Sequence, residues 1–92
     1  MEVKFSKSAQ KDIRKLPKII VTKLQLWVFS VENIGLEATR KKGGKGLHDE
    51  PLRGNRIGQR SIRLSQGYRA IYEIRKNGVE FISVEEVNKH EY

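Results

Sequence analysis

Residues 61–87 run SIRLSQGYRAIYEIRKNGVEFISVEEV, and the alternation within this stretch decides the fold. Ser61-Ile62-Arg63-Leu64 reads as one strand, Tyr68 to Arg75 as a second, and Val79 to about Val87 as a third. Ser65-Gln66-Gly67 predicts a three-residue turn with Gly67 in the left-handed conformation, and Asn77-Gly78 is the strongest short hairpin signal a sequence offers. These turns set a register in which Arg63 faces Arg69, Arg75 faces Glu80, Ile71 faces Val84 and Arg69 faces Glu86. Side chains alternate along a strand, so two faces separate. Ile62, Leu64, Tyr68, Ala70, Tyr72, Ile74, Val79, Phe81 and Val87 make an apolar face. Arg63, Arg69, Ile71, Glu73, Arg75, Glu80, Ile82, Val84 and Glu86 make an open, charged one.

The apolar face needs a cover, and the N-terminal third supplies it. Val3 and Phe5 alternate with charges as a short first strand, and Ser6 suits a helix N-cap. Ala9, Ile13 and Leu16 follow at helical spacing, until Pro17 ends that helix and opens the next at its first position. Ile20, Leu24, Trp27, Val31 and Ile34 then form a sustained apolar stripe that stops at Gly35. Trp27 lies in this stripe and is expected in the core. The expected fold is α+β: an N-terminal strand, then a two-helix hairpin packed on one face of a small, mainly antiparallel sheet. One domain spans residues 1–92.

Residues 36–60 show no clear periodicity and read as a long loop, a feature often functional in a compact domain. Lys41, Lys42, Lys45, Arg53 and Arg56 lie among its glycines and suit phosphate contacts. A solvated basic loop without a partner is the equal alternative.

Composition narrows the function. Nineteen Lys and Arg against 11 Asp and Glu give a net charge of +8 on 92 residues, which points to an anionic partner, nucleic acid first. Residues 79–92 carry one basic and four acidic side chains, so the positive field belongs to the first three quarters. The absence of cysteine excludes a disulfide scaffold, a thiolate zinc site and a cysteine nucleophile. The charged start and the lack of a long apolar run predict neither a signal peptide nor a membrane span.

Two arginines directly opposite repel unless an anion lies between them. Glu86 is one candidate anion and a bound phosphate another. In the same register His90 and Tyr92 share the parity of Glu86 and project beside Arg69. Imidazole suits proton transfer near neutrality, guanidinium suits charge developing at phosphorus, and an aromatic ring stacks a base. These are the parts of a metal-free ribonuclease.

The run His48-Asp49-Glu50-Pro51-Leu52-Arg53-Gly54 resembles the "EPL" segment of the RelE/ParE superfamily of bacterial type II toxins. Ser61-Ile62-Arg63-Leu64 and Gly67-Tyr68-Arg69-Ala70-Ile71-Tyr72 are similar to its core strands, and Val87-Asn88-Lys89-His90-Glu91-Tyr92 to its close. The resemblance spans nearly the whole chain and is nearest to YoeB- and HigB-like members. It implies a cytoplasmic bacterial mRNA interferase that cuts mRNA on the ribosome and is neutralised by a cognate antitoxin. It needs neither metal nor cofactor and assembles as a homodimer or a toxin–antitoxin hetero-oligomer. Carried over by residue, Glu50 is the base, Arg69 stabilises the scissile phosphate, His90 is the acid and Tyr92 positions substrate. Glu91 separates His90 from Tyr92, where YoeB-like chains have the two adjacent, and His48 competes with Glu50 as base. Lys41, Lys42, Lys45, Arg53, Arg56 and Arg63 are the expected RNA contacts. Two other functions fit the same fold: a ParE-like inhibitor of DNA gyrase without nuclease activity, and an RNA-binding module without catalysis.

Overall fold

The computed structural model describes residues 1–42 and 48–87. In chain order the elements are β1 (Glu2–Phe5), α1 (Lys7–Arg14), α2 (Lys18–Ile34), α3 (Leu36–Lys42), β2 (Glu50–Pro51), a 3-10 turn (Gly54–Arg56), β3 (Gln59–Arg63), β4 (Tyr68–Arg75) and β5 (Gly78–Glu86). The strands form one sheet in the order β1-β5-β4-β3-β2, antiparallel throughout except for the parallel pair β1 and β5. This is the expected α+β arrangement.

The helical hairpin forms for the reasons its sequence suggests. The Ser6 hydroxyl caps α1 by accepting the Ala9 N–H at 3.0 Å. Pro17 sits just before α2 rather than in its first turn, and its carbonyl accepts from Ile20 and Val21. Ile20, Leu24, Trp27 and Val31 are buried, whereas Ile34, at the end of the stripe, is half exposed. Beneath α2 the Trp27 ring lies 5.1 Å from Tyr72 and 5.3 Å from Phe81, and Phe5 stacks on Phe81 at 5.1 Å. These rings and Ile62, Leu64, Ala70 and Val79 make the core.

The stretch expected as one long loop contains α3, β2 and the 3-10 turn. The helix α3 has seven residues, too few for a periodic pattern to emerge. It is held by two buried residues, Leu36 and Thr39. The Thr39 hydroxyl donates to the Gly35 carbonyl at 2.7 Å and pairs with the Ser30 hydroxyl at 2.8 Å.

The sheet departs from the expected register in its second hairpin. Arg63 faces Arg69 as anticipated. Arg75, however, pairs with Gly78, so the loop is Lys76-Asn77, and a bulge between Ile71 and Tyr72 on one side and Phe81 and Ser83 on the other leaves Ile82 extra. Beyond the bulge the parity inverts. Arg69 faces Glu85, not Glu86, and Val84 turns into the core. The N-cap of α1 and one of its residues secure the bulge: the Ser6 hydroxyl donates to the Ile82 carbonyl at 2.9 Å, and the Asp12 carboxylate accepts the Val84 N–H at 2.9 Å. Ile71, expected on the open face, is fully buried, and Ile74, expected in the core, is half exposed.

Two glycines play roles other than those anticipated. Gly67 does not take the left-handed conformation; the Ser65 hydroxyl holds its N–H at 3.0 Å instead. Gly78 is required by the parallel pair, since a Cβ there collides with the Glu2 backbone.

Candidate functional site

The open face of the sheet carries a hollow of about 190 Å³ lined by His48, Glu50, Ser61, Arg63 and Arg69. Each side chain arrives there by strand alternation. Glu50 on β2 pairs with Ser61 on β3, and Arg63 at the end of β3 pairs with Arg69 on β4. His48 precedes β2 with a φ of 42°, the left-handed region that bulky residues seldom adopt.

Of the opposed arginines, Arg69 is compensated from β5. The Glu85 carboxylate accepts from Arg69 Nε at 3.3 Å and from its NH2 at 3.1 Å. It also accepts two bonds from Arg56 of the 3-10 turn, the shorter at 2.6 Å, and one from the Ser83 hydroxyl at 3.2 Å. Partial burial pushes the Glu85 carboxyl up, but its bonds to Arg56 and Arg69 outweigh this and hold it below the usual carboxylate range. Glu85 thus supplies an anion to Arg69, one member of the opposed pair, and to Arg56, and fixes the Arg69 guanidinium beside the hollow. Glu86 lies on the helical side of the sheet, in a hollow shared with Asp12, Leu16 and Tyr68.

Behind the hollow, on the helical side, lies a second polar cluster. Asp49 accepts from Arg60 Nε at 2.7 Å and from the Tyr72 hydroxyl at 2.5 Å, and its own carbonyl accepts from Arg60 NH2 at 3.4 Å. The Asp49 side chain is only 6% exposed. Burial and then the bond to Asp49 push the Tyr72 phenol far above its ordinary range.

Of the residues expected at the site, Glu50, Arg63 and Arg69 come together, with His48 beside them, and Arg56 joins through Glu85. Lys41 and Lys42 end α3, and Arg53 is exposed ahead of the 3-10 turn; neither Lys41 nor Arg53 lines the hollow. Lys45, His90 and Tyr92 lie outside the described residues. Sequence reasoning missed Glu85, Ser61 and Asp49. The signal for Glu85 was present: Val79 and Phe81 are apolar at odd positions, Ile82 and Val84 at even ones, and such a break in alternation marks a bulge. Among the described residues no group of three His, Cys, Asp or Glu is arranged to hold a metal, and no helix is long and apolar enough to cross a membrane.

Residues 3–90 match the family model described as the ParE toxin of type II toxin–antitoxin systems. No curated protein sequence matches the chain. Among solved structures, it is similar to the RelBE2 toxin–antitoxin complex from Mycobacterium tuberculosis, at 25% identity and a TM-score of 0.64, with 92% of this chain and 95% of the other covered. It is also similar to a YoeB/ParE toxin from Agrobacterium tumefaciens, at 20% identity and a TM-score of 0.71, covering 96% and 100% of the two chains. A third likeness is to YoeB of Staphylococcus aureus in complex with YefM, at 22% identity and a TM-score of 0.69 over 96% and 98%. That S. aureus protein has also been solved as a dimer.

Proposed function

The chain belongs to the ParE toxin family of type II toxin–antitoxin systems, and on that premise we propose that its toxic act is ribosome-dependent cleavage of mRNA. The observation that supports this reading is the hollow that gathers Glu50, His48, Arg63 and Arg69 on one open face. A gyrase-binding surface has no need of a base beside two phosphate-sized cations. In the proposed reaction Glu50 or His48 takes the proton from a ribose 2′-hydroxyl. The 2′-oxygen attacks phosphorus, and Arg69 and Arg63 stabilise the charge that develops on the equatorial oxygens. The 5′-oxygen leaves with a proton and a 2′,3′-cyclic phosphate remains. His90 is proposed as the acid and Tyr92 as the residue that positions the substrate. Lys41, Lys42, Lys45, Arg53 and Arg56 are proposed as contacts to RNA phosphates. The partners in this reading are the ribosome, mRNA and a cognate antitoxin, met in the cytoplasm.

A second reading, poisoning of DNA gyrase without nuclease chemistry, is supported by the ParE description of the matching family. Purified programmed ribosomes separate the two. The expected result is cut mRNA bearing a cyclic phosphate end, with cleavage by Arg69→Ala lowered about 10²–10³-fold, as for loss of one preorganised charge donor. Intact mRNA together with gyrase-dependent DNA breaks would establish the second reading instead.

A further inference from the structure

We infer that Asp49 is a positioning residue, clamped by Arg60 and Tyr72 so that β2 stays in register and presents Glu50 and His48 to the hollow. The inference rests on the nuclease reading above.

The strand that carries Glu50 cannot hold itself in place. It has two residues, its pairing with β3 is limited to Glu50 with Ser61 and Pro51 with Arg60, and Pro51 has no N–H to give. One further bond, from the Leu52 N–H to the Gln59 carbonyl at 2.9 Å, follows it. It is also an edge strand, the last in the sheet order. Glu50 itself is exposed and brings no packing.

Asp49 supplies what β2 lacks. Both carboxylate oxygens and the backbone carbonyl accept bonds, so the side chain and the peptide are held together. Arg60 and Tyr72 are cross-strand partners on β3 and β4, so the clamp spans two strands. Tyr72 is fully buried and packs on Trp27 and Phe81, which ties Asp49 to the aromatic core. A carboxylate this deeply buried is stable only while both donors stay in place, so any slip of β2 breaks a paired charge. Alternation then does the rest. With Asp49 fixed toward the helical side, Glu50 must face the open side. The left-handed backbone at His48, immediately before the clamp, is a conformation that persists only where its surroundings hold it.

The full chain carrying Asp49→Asn tests this. The amide keeps the volume but puts an NH2 donor in place of one of the two oxygens that Arg60 and Tyr72 separately bond. Tyr72→Phe, which keeps the ring and removes the hydroxyl, provides a second, milder variant. On programmed ribosomes Asp49→Asn is expected to lower kcat by about 10²-fold, the cost of a misplaced catalytic group, with KM little changed. Tyr72→Phe should lower kcat less, and the double variant should lose no more than Asp49→Asn alone. Hydrogen exchange gives a readout independent of activity. The Leu52 amide should exchange faster in Asp49→Asn, while β4 and β5 keep their protection. A wild-type kcat or unchanged Leu52 exchange overturns the inference. If the wild-type chain itself cuts no RNA, the nuclease reading falls, and Leu52 exchange alone decides whether Asp49 anchors β2.

Discussion

Glu85 serves two arginines, one from the 3-10 turn and one from β4, and this makes it the residue where fold and site meet. Replacing it with Gln leaves Arg56 and Arg69 without their shared counter-charge and frees Arg69 to leave the hollow. Under the proposed nuclease reading, Glu85→Gln should therefore slow RNA cleavage while costing at most about 1 kcal/mol of stability, because the pairs are partly solvated. The pH dependence has a definite sign. The carboxyl is held below its ordinary range in the fold, so its contribution is present above the ordinary carboxylate pKa and fades as pH falls through the lower, folded value. Urea denaturation of wild type and Glu85→Gln should differ at neutral pH and converge in acid. A gap that persists in acid would show that Glu85 acts through packing rather than charge. The opposition of Arg63 and Arg69 was legible because a short loop at 65–67 fixes it. The identity of the anion that meets Arg69 was not, because it depends on backbone geometry ten and more residues further along.

At the level of elements, local pattern settled what repeats and failed where tertiary contacts decide. The bounds of β4 and the buried stripe of α2 follow from alternation and from helical spacing over many residues. The helix α3 depends on Leu36 and Thr39 meeting α2, and the bulge in β5 depends on Ser6 and Asp12 reaching it from α1; neither leaves a periodic trace. The bulge can be tested directly. Asp12→Ala leaves the Val84 N–H without its acceptor, at a cost of about 1–3 kcal/mol for a buried group. It also loosens the device that turns Glu85 toward Arg69, so NMR should report shifted resonances at Glu85 and Arg69, far along the chain from the substitution. Shifts confined to α1 would sink this coupling. At the other end of the same strand, Gly78→Ala drives a methyl group into the Glu2 backbone. The expected loss is about 1–3 kcal/mol with β1 displaced, since overpacking forces the backbone to move. Thermal unfolding with exchange rates for β1 amides measures both.

Across the whole molecule, the net charge of +8 divides into two populations once the ion pairs are known. Arg56, Arg60, Arg69 and Arg75 are engaged by Glu85, Asp49, Glu73 and Glu80. These pairs organise the sheet and its hollow. Lys7, Lys11, Arg14, Lys15 and Lys18 on the helical hairpin are exposed, as is Lys41 at the end of α3. They form a field suited to a large polyanion and do not line the hollow. Contacts to phosphate release condensed counterions, so under the proposed nuclease reading ribosome binding should weaken steeply with salt. If about five phosphates are neutralised, affinity should fall roughly 100- to 500-fold between about 50 and 200 mM salt. Changing Lys11, Lys15 and Lys18 to Gln should flatten the slope by up to about one unit per lost contact. The same triple variant should leave the catalytic step of a saturated complex unchanged, because none of the three lines the hollow. Titrations of ribosome binding across salt, read beside single-turnover cleavage, separate the two populations. A slope equal to that of the wild type would move the docking field off the helical hairpin, onto the basic residues between α3 and β3.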